Sequence, residues 1–397
     1  MREQASQRSQ SPQRPAPNRA RHRATRRAAT AAAAVAAGIL TMTALTPPPA
    51  SAAPHPAPIQ QSLNALVKSD GFPAALAAVQ DREGHTRNYT AGVADLTTKA
   101  KVPTDGQVRI GSNTKTFTAV VVLQLVGEGE VSLDAMIDDY LPGLVRGEGI
   151  DGSHITVREL LQQTSGLPSY TNDDDLEPRY YEPRDLLDRA LKHKADFAPG
   201  EKWGYSNTNY VVAGLIVQKV TGRPLAAEID QRIIKKIGLR HTYFPAPGDP
   251  TIREPHPKGY SQDAPGGPLS DITEMDPSWA WAAGQLISTN SDLNRFFSAL
   301  LGGRLLAAPQ LKEMQKTVPA AAPFGPNTRY GLGLLSTPLS CGGVYWGHGG
   351  SFPGYETRGG ATDEGRAVNV AVTLQPTDPA AMKPVDTLVD KALCSAG

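Results

Sequence analysis

Gly111-Ser112-Asn113-Thr114-Lys115 opens a run that keeps a helical pattern to about Gly127. Residues three apart on a helix share one face, so Ser112 and Lys115 stand one turn apart. A serine hydroxyl is a weak nucleophile and needs a base beside it. A lysine desolvated in a cleft loses its proton more readily and can act as that base. The start of a helix adds a positive field and free N–H groups, which suit a developing oxyanion. A chain of this size holds roughly one Ser-x-x-Lys by chance, and this is its one instance. Taken alone, the stretch also reads as an N-cap serine followed by a surface lysine.

Two further stretches carry polar groups next to turns. Tyr205-Ser206-Asn207 follows the turn Pro199-Gly200-Glu201 and precedes a helical pattern. A tyrosine held near a lysine can relay protons, and an asparagine can bind an amide; the pair Ser206-Asn207 is equally a common helix cap. Trp346-Gly347-His348-Gly349-Gly350 ends a strand pattern, and glycines there let a substrate backbone lie close to the edge. His348 by itself is as readily structural as catalytic.

The rest of the chain narrows the chemistry. It has 397 residues, 40% of them hydrophobic and 20% charged, a globular profile rather than a disordered one. The formal charge of +1 hides an asymmetry. Residues 1–27 hold eight Arg and one Glu, so the remainder is near −6, a poor sign for nucleic-acid binding. The eight histidines include no His-Glu-x-x-His and no Cys/His cluster, so no metal is expected. No phosphate-binding loop is evident, and no cofactor is implied. Gly-x-Ser-x-Gly chemistry fails at Ser351, which is followed by Phe352-Pro353.

The front of the chain reads as an export signal. An arginine-rich stretch, Arg19 to Arg27, precedes an alanine-rich apolar run, Ala28 to Leu45, and then Ala50-Ser51-Ala52. That is the order of a secretory signal peptide over residues 1–52, with cleavage expected after Ala52. A membrane anchor is the alternative, disfavoured by weak hydrophobicity, Gly38 and three threonines. The Arg26-Arg27 pair lacks the apolar follow-on of a twin-arginine signal. An oxidising compartment would pair Cys341 with Cys394, and closing that loop is worth about 4 kcal/mol by chain entropy. Two buried thiols are the alternative.

Helices are expected over Gln60–Val67, Val157–Gln163 (with Thr156 and Glu159 as a capping box), Asp185–His193, Thr208–Val220, Ala226–Lys236, Leu293–Leu301 and Ala380–Leu393. Ala74–Gln80 and Arg87–Gly92 read as a hairpin. Tyr330–Leu335, Val344–Trp346, Tyr355–Gly360 and Val368–Leu374 read as strands. Strand-rich ends around a helical middle predict an α+β fold: an antiparallel sheet built from both chain ends, with a helical region inserted. The expected domain is 53–397, its sheet part 58–115 and 285–397, its helical part 116–284.

Ser112-x-x-Lys115, Tyr205-x-Asn207 and His348-x-Gly350, in this order, resemble the motifs of the penicillin-recognising serine hydrolases. That group includes class C β-lactamases, serine D-alanyl-D-alanine carboxypeptidases, esterases and D-aminopeptidases. Leu160 to Leu167, Ala282 to Thr289 and Tyr330-Gly331-Leu332-Gly333 extend the resemblance over nearly all of residues 58–395. The histidine in the third motif, the late cysteines and the leader are most similar to actinomycete exocellular D-alanyl-D-alanine carboxypeptidases. The resemblance implies a β-lactamase/DD-peptidase-like fold and a set of roles. Ser112 is the acylated nucleophile, Lys115 and Tyr205 move its proton, and Asn207 holds the substrate amide. His348 assists binding or proton transfer. Gly349, Gly350 and Ser351 line the substrate, with the N–H groups of Ser112 and Ser351 as oxyanion donors. Trp279 or Trp281 walls the cleft.

Two features depart from that pattern. Most such sites carry lysine where His348 stands, and an ordinary histidine is mostly neutral at pH 7. The strand before the third motif, Gly333-Leu334-Leu335-Ser336, lacks the arginine of some carboxypeptidases. Arg329 and Arg358 are the substitutes at hand. The reading is a secreted D-alanyl-D-alanine carboxypeptidase taking a small peptide, ester or β-lactam, expected as a monomer without stable membrane insertion. The alternatives are an esterase, D-aminopeptidase or amide hydrolase on the same nucleophile, and a binding protein without turnover. Rapid β-lactam turnover is disfavoured by the absent motif lysine.

Overall fold

The computed structural model describes residues 58–395 apart from 174, 175, 178 and 321–323. The expected leader lies outside these residues. Among them, no helix is long and apolar enough to cross a membrane.

Strands β1 (Ala74–Gln80) and β2 (Thr86–Gly92) form the expected hairpin. The rest of the main sheet comes from the C-terminal part: β3 (Val318–Pro319), β4 (Arg329–Tyr330), β5 (Leu335–Pro338), β6 (Val344–Gly347), β7 (Gly350–Phe352), β8 (Tyr355–Ala361) and β9 (Ala367–Val372). Their order is β2-β1-β9-β8-β6-β5-β4-β3, with β7 added to β8, and every pairing is antiparallel. The two chain ends therefore meet at β1 and β9, where Ala77 faces Val370.

Helices cover both faces of the sheet. Alternation along β9 sends Val368, Val370 and Val372 toward α1 (Pro58–Lys68) and the C-terminal helix, whose Leu63, Leu388 and Val389 join the same core. The opposite face packs on the helix Asn290–Leu301, which shares the larger core with Ala367, Ala371 and α2 (Asn113–Glu128). Helix α2 is buried on nearly every side, its apolar residues being spread around it and its polar N-terminal residues buried with them. Its threonines tie neighbouring loops: Thr116 donates to the Gly333 carbonyl at 2.7 Å and Thr118 to the Ala282 carbonyl at 2.9 Å. The helix α3 (Val157–Gln162), whose Thr156–Glu159 capping box is formed, packs on α4 (Asn207–Thr221), and α4 packs beside α2. The last helix, α5 (Lys383–Ser395), is fixed to the β5–β6 turn by the Cys341–Cys394 disulfide.

Two local expectations need correction. Tyr330–Leu335 is not one strand but the end of β4, a turn at Gly331 to Gly333 and the start of β5. Gly333 has φ +73°, and a Cβ there would stand 2.7 Å from the Tyr210 hydroxyl, so the chain must break its extended run. The helix expected over Ala226–Lys236 contains a π turn at Asp230–Ile234.

Candidate active site

Helix α2 begins where the backbone is crowded. Gly111 has φ +47°, and a Cβ on it would stand 2.6 Å from the Ser351 carbonyl oxygen. A Cβ on Gly350 would overlap the Ile110 carbonyl oxygen. Glycine at both places lets the start of α2 press against β7. Asn113 clamps the junction, donating to the Ile110 carbonyl at 3.1 Å and to Thr357 Oγ1 on β8 at 2.8 Å.

Ser112 makes no capping hydrogen bond to its own helix. Lys115 is fully buried, so the cap-plus-surface-lysine alternative does not hold. Lys115 Nζ lies 3.0 Å from Ser112 Oγ, 2.7 Å from Asn207 Oδ1 and 2.8 Å from the Ala283 carbonyl oxygen. Among the described residues no carboxylate pairs with it. Burial therefore pushes its pKa well below that of a free lysine. A neutral amine fits all three contacts: two N–H bonds donate to the carbonyl-type oxygens, and the lone pair accepts the Ser112 proton.

Tyr205 precedes α4, with its ring 4.9 Å from Lys115 Nζ. Burial, reinforced by Tyr330, drives its pKa well above that of free tyrosine, while Ser112 acts in the opposite sense. Tyr205 is thus a phenol at neutral pH. The Asn207 amide donates to Thr171 Oγ1 at 3.0 Å, so the side chain is aimed by one neighbour and aims another, Lys115. The amide oxygen expected to hold substrate is engaged by the lysine here.

His348 sits just past β6 rather than on it. The register is kept across the break: Gly347 faces Gly360 and Gly350 faces Thr357, which sets His348 and Gly349 opposite Gly359 and Arg358. The ring is 2% exposed and both nitrogens are engaged, Nδ1 with the Gly349 carbonyl at 2.6 Å and Nε2 with the Tyr330 hydroxyl at 3.2 Å. A neutral ring donating from Nδ1 and accepting at Nε2 satisfies both. Burial, with Lys115 nearby, lowers its pKa to about 3. Folded His348 therefore refuses a proton that the unfolded chain accepts below pH 6.5. Stability is complete above 6.5 and falls toward pH 3, by about 1.4 kcal/mol per unit. Denaturant unfolding of His348→Gln should show a shallower acid loss than the native chain between pH 6.5 and 4; equal slopes would contradict the buried neutral ring.

Ser112, Tyr205, Asn207, His348, Gly349, Gly350 and Ser351 all line one cavity of about 400 Å³. Lys115 lies just beneath it. Trp279 lines the cavity; Trp281 does not, being packed against Gly214. Arg109, buried and donating to the carbonyls of Pro250, Thr273 and Met275, stands 5.1 Å over Phe352, which leans on Trp279 at 5.1 Å. Arg358 lines the cavity, whereas Arg329 lies outside it, bound to Thr317. The sequence reading missed Tyr170, Thr171, Phe324 and Asp386, which also face the cavity. It also missed Tyr330 as the partner of His348, although it had singled out the Tyr330-Gly331-Leu332-Gly333 stretch.

A profile of the family described as Beta-lactamase matches residues 59–392. The chain belongs to the beta-lactamase family. It has that family's serine-hydrolase fold, as its α+β sheet and flanking helices require. A D-stereospecific amidohydrolase from Streptomyces sp. is 39% identical with a TM-score of 0.77, over 85% of this chain and 98% of that one. A D-amino acid amidase from Ochrobactrum anthropi SV3, complexed with L-phenylalanine amide, is 30% identical with a TM-score of 0.75, over 84% and 96%. Protein flp of Staphylococcus aureus is 29% identical over 190 residues, which are 47% of this chain and 38% of that protein. This chain thus spans less than half the length of such curated relatives.

Proposed function

We propose that this chain, once exported, hydrolyses amides and esters of D-amino acids through an acyl-serine intermediate. The observation that carries this choice is electrostatic. Arg358, the guanidinium lining the cavity, already faces two carboxylates. Its Nη1 donates to Glu356 Oε2 at 2.8 Å, and its Nε lies 3.5 Å from Asp386 Oδ1. His348 is neutral. The site therefore offers a free C-terminal carboxylate no uncompensated cation, and an amide or ester needs none. Likeness to an amidohydrolase and a D-amino acid amidase supports the same substrate class.

The reaction follows from the contacts. The Lys115 amine takes the Ser112 proton as Oγ attacks the carbonyl carbon. The N–H groups of Ser112 and Ser351 face the oxyanion, fixed by the Gly111–Ser351 approach. As the C–N or C–O bond breaks, the leaving group takes a proton, relayed from Lys115 through the Tyr205 phenol. Water then attacks the acyl-serine ester and gives a proton to Lys115, which passes it to Ser112 Oγ as the C–Oγ bond breaks, freeing the acid and restoring the Ser112 hydroxyl and the neutral amine. Asn207 keeps Lys115 aimed throughout.

A carboxypeptidase reading has one observation in its favour, the presence of Arg358 in the cavity wall. The two readings separate on substrates. The purified chain should hydrolyse D-phenylalanine amide with kcat/KM at least about tenfold above that for an N-acyl-D-alanyl-D-alanine, since one uncompensated charge is worth roughly that factor. The reverse order would transfer the assignment to the carboxypeptidase.

A further inference from the structure

Two chemically different sets of groups line the cavity. One is aromatic: Tyr170, Trp279 and Phe324. The other is charged: Arg358 and Asp386 meet beside Thr337 and Tyr345. Arg358 lies across Gly349: a Cβ there would stand 3.2 Å from its Nη1. The charged groups therefore stand beside the residue that follows His348.

The charged groups differ in how much they have left to give. Glu356 is buried, its side chain 4% exposed, and is held by Arg358. Asp386 stands in the first turn of α5 with its side chain 57% exposed. Its one charged neighbour at contact distance is Arg358 Nε, at 3.5 Å, and among the described residues it accepts no hydrogen bond. Burial raises its pKa above that of a free aspartate, and Arg358 acts in the opposite sense. Two carboxylates thus share one guanidinium, and the less satisfied one faces the cavity that holds the nucleophile. A carboxylate with open lone pairs at a cavity wall suits a cation, and a charge-assisted N–H···O bond is the strongest contact it can make.

We infer that Asp386 is a specificity-determining residue that takes the free α-ammonium of a D-aminoacyl substrate, with Arg358 and Glu356 holding the carboxylate environment in place. This rests on the proposed amide and ester hydrolysis for its substrate class. It goes further by requiring an unblocked amine: N-terminal D-amino acid derivatives are preferred over N-acylated ones.

Binding can be read without turnover. In the Ser112→Ala chain, titration calorimetry should show D-phenylalanine amide bound about tenfold tighter than its N-acetyl derivative, the scale of one charge-assisted hydrogen bond at a half-exposed site. Adding Asp386→Asn should bring that ratio to near one through the amine ligand alone. Adding Asp386→Lys should take it below one. A ratio near one before Asp386 is changed, or one that survives both variants, overturns the inference. Turnover by the unaltered chain tests the broader reading separately. The ratio without hydrolysis keeps the subsite and removes the amidase; hydrolysis without the ratio keeps the amidase and removes the subsite.

Discussion

Ser112→Ala should lower kcat/KM for a D-aminoacyl amide by at least about 10⁴-fold, the scale seen when a nucleophile that works as a unit with its base is removed. Stability should move by no more than about 0.5 kcal/mol, because little structure depends on the hydroxyl. Ser112 caps no helix, and its Oγ contacts Lys115, which keeps Asn207 and the Ala283 carbonyl as partners. The two measurements must be made together. A collapse of activity with an unchanged unfolding midpoint isolates chemistry from folding. Intact mass gives an independent reading: brief exposure to benzylpenicillin or an activated ester should add one acyl group to the native chain and none to the variant. Hydrolysis that persists in Ser112→Ala would remove Ser112 as nucleophile. A native chain that hydrolyses nothing and takes no acyl group would leave a binding protein on this fold.

What the sequence could show divides by the range of the forces involved. The capping box at Thr156, the hairpin at β1 and β2, and the Ser112–Lys115 spacing are set by residues within one or two turns, and each appears where the local rules put it. The sheet assembled from both chain ends was legible from the change of period along the chain. Short strands were not. β4 and β5 are two and four residues long, and the glycine turn between them answers to Tyr210 on another helix. The same holds for the cavity walls. Trp279 and Trp281 are two residues apart, yet one lines the cavity and the other packs on α4. Asp386 had no local signal at all; it reaches the cavity because α5 folds back over the sheet. His348 was legible as a motif residue, but its ionisation was not. Its charge state follows from burial and from Tyr330, eighteen positions away. Sequence shows which groups are available, and packing decides their protonation.

That distinction sets the prediction for Lys115. Lys115→Met, close in volume, should lower kcat about 10³-fold with little change in KM, since general-base loss of this kind costs between 10² and 10⁴. Lys115→Arg is the sharper variant. It keeps a positive charge but cannot give up its proton, because a guanidinium stays protonated in proteins. If Lys115 serves as a base, Arg is as damaging as Met; if it serves as a fixed charge, Arg restores much of the rate. The pH profile of the native chain carries the same distinction. Burial holds the Lys115 pKa well below 10.5, so the neutral amine dominates above that lowered value. Below it the amine is protonated, cannot accept the Ser112 proton, and kcat/KM should fall tenfold per pH unit. His348 cannot supply this limb unless the limb lies near pH 3, where its own pKa has been driven. His348→Gln should therefore leave the acid limb in place even where it slows the reaction. A limb that moves or vanishes in His348→Gln, with Lys115→Arg active, would make the histidine the base and reduce the lysine to a charge.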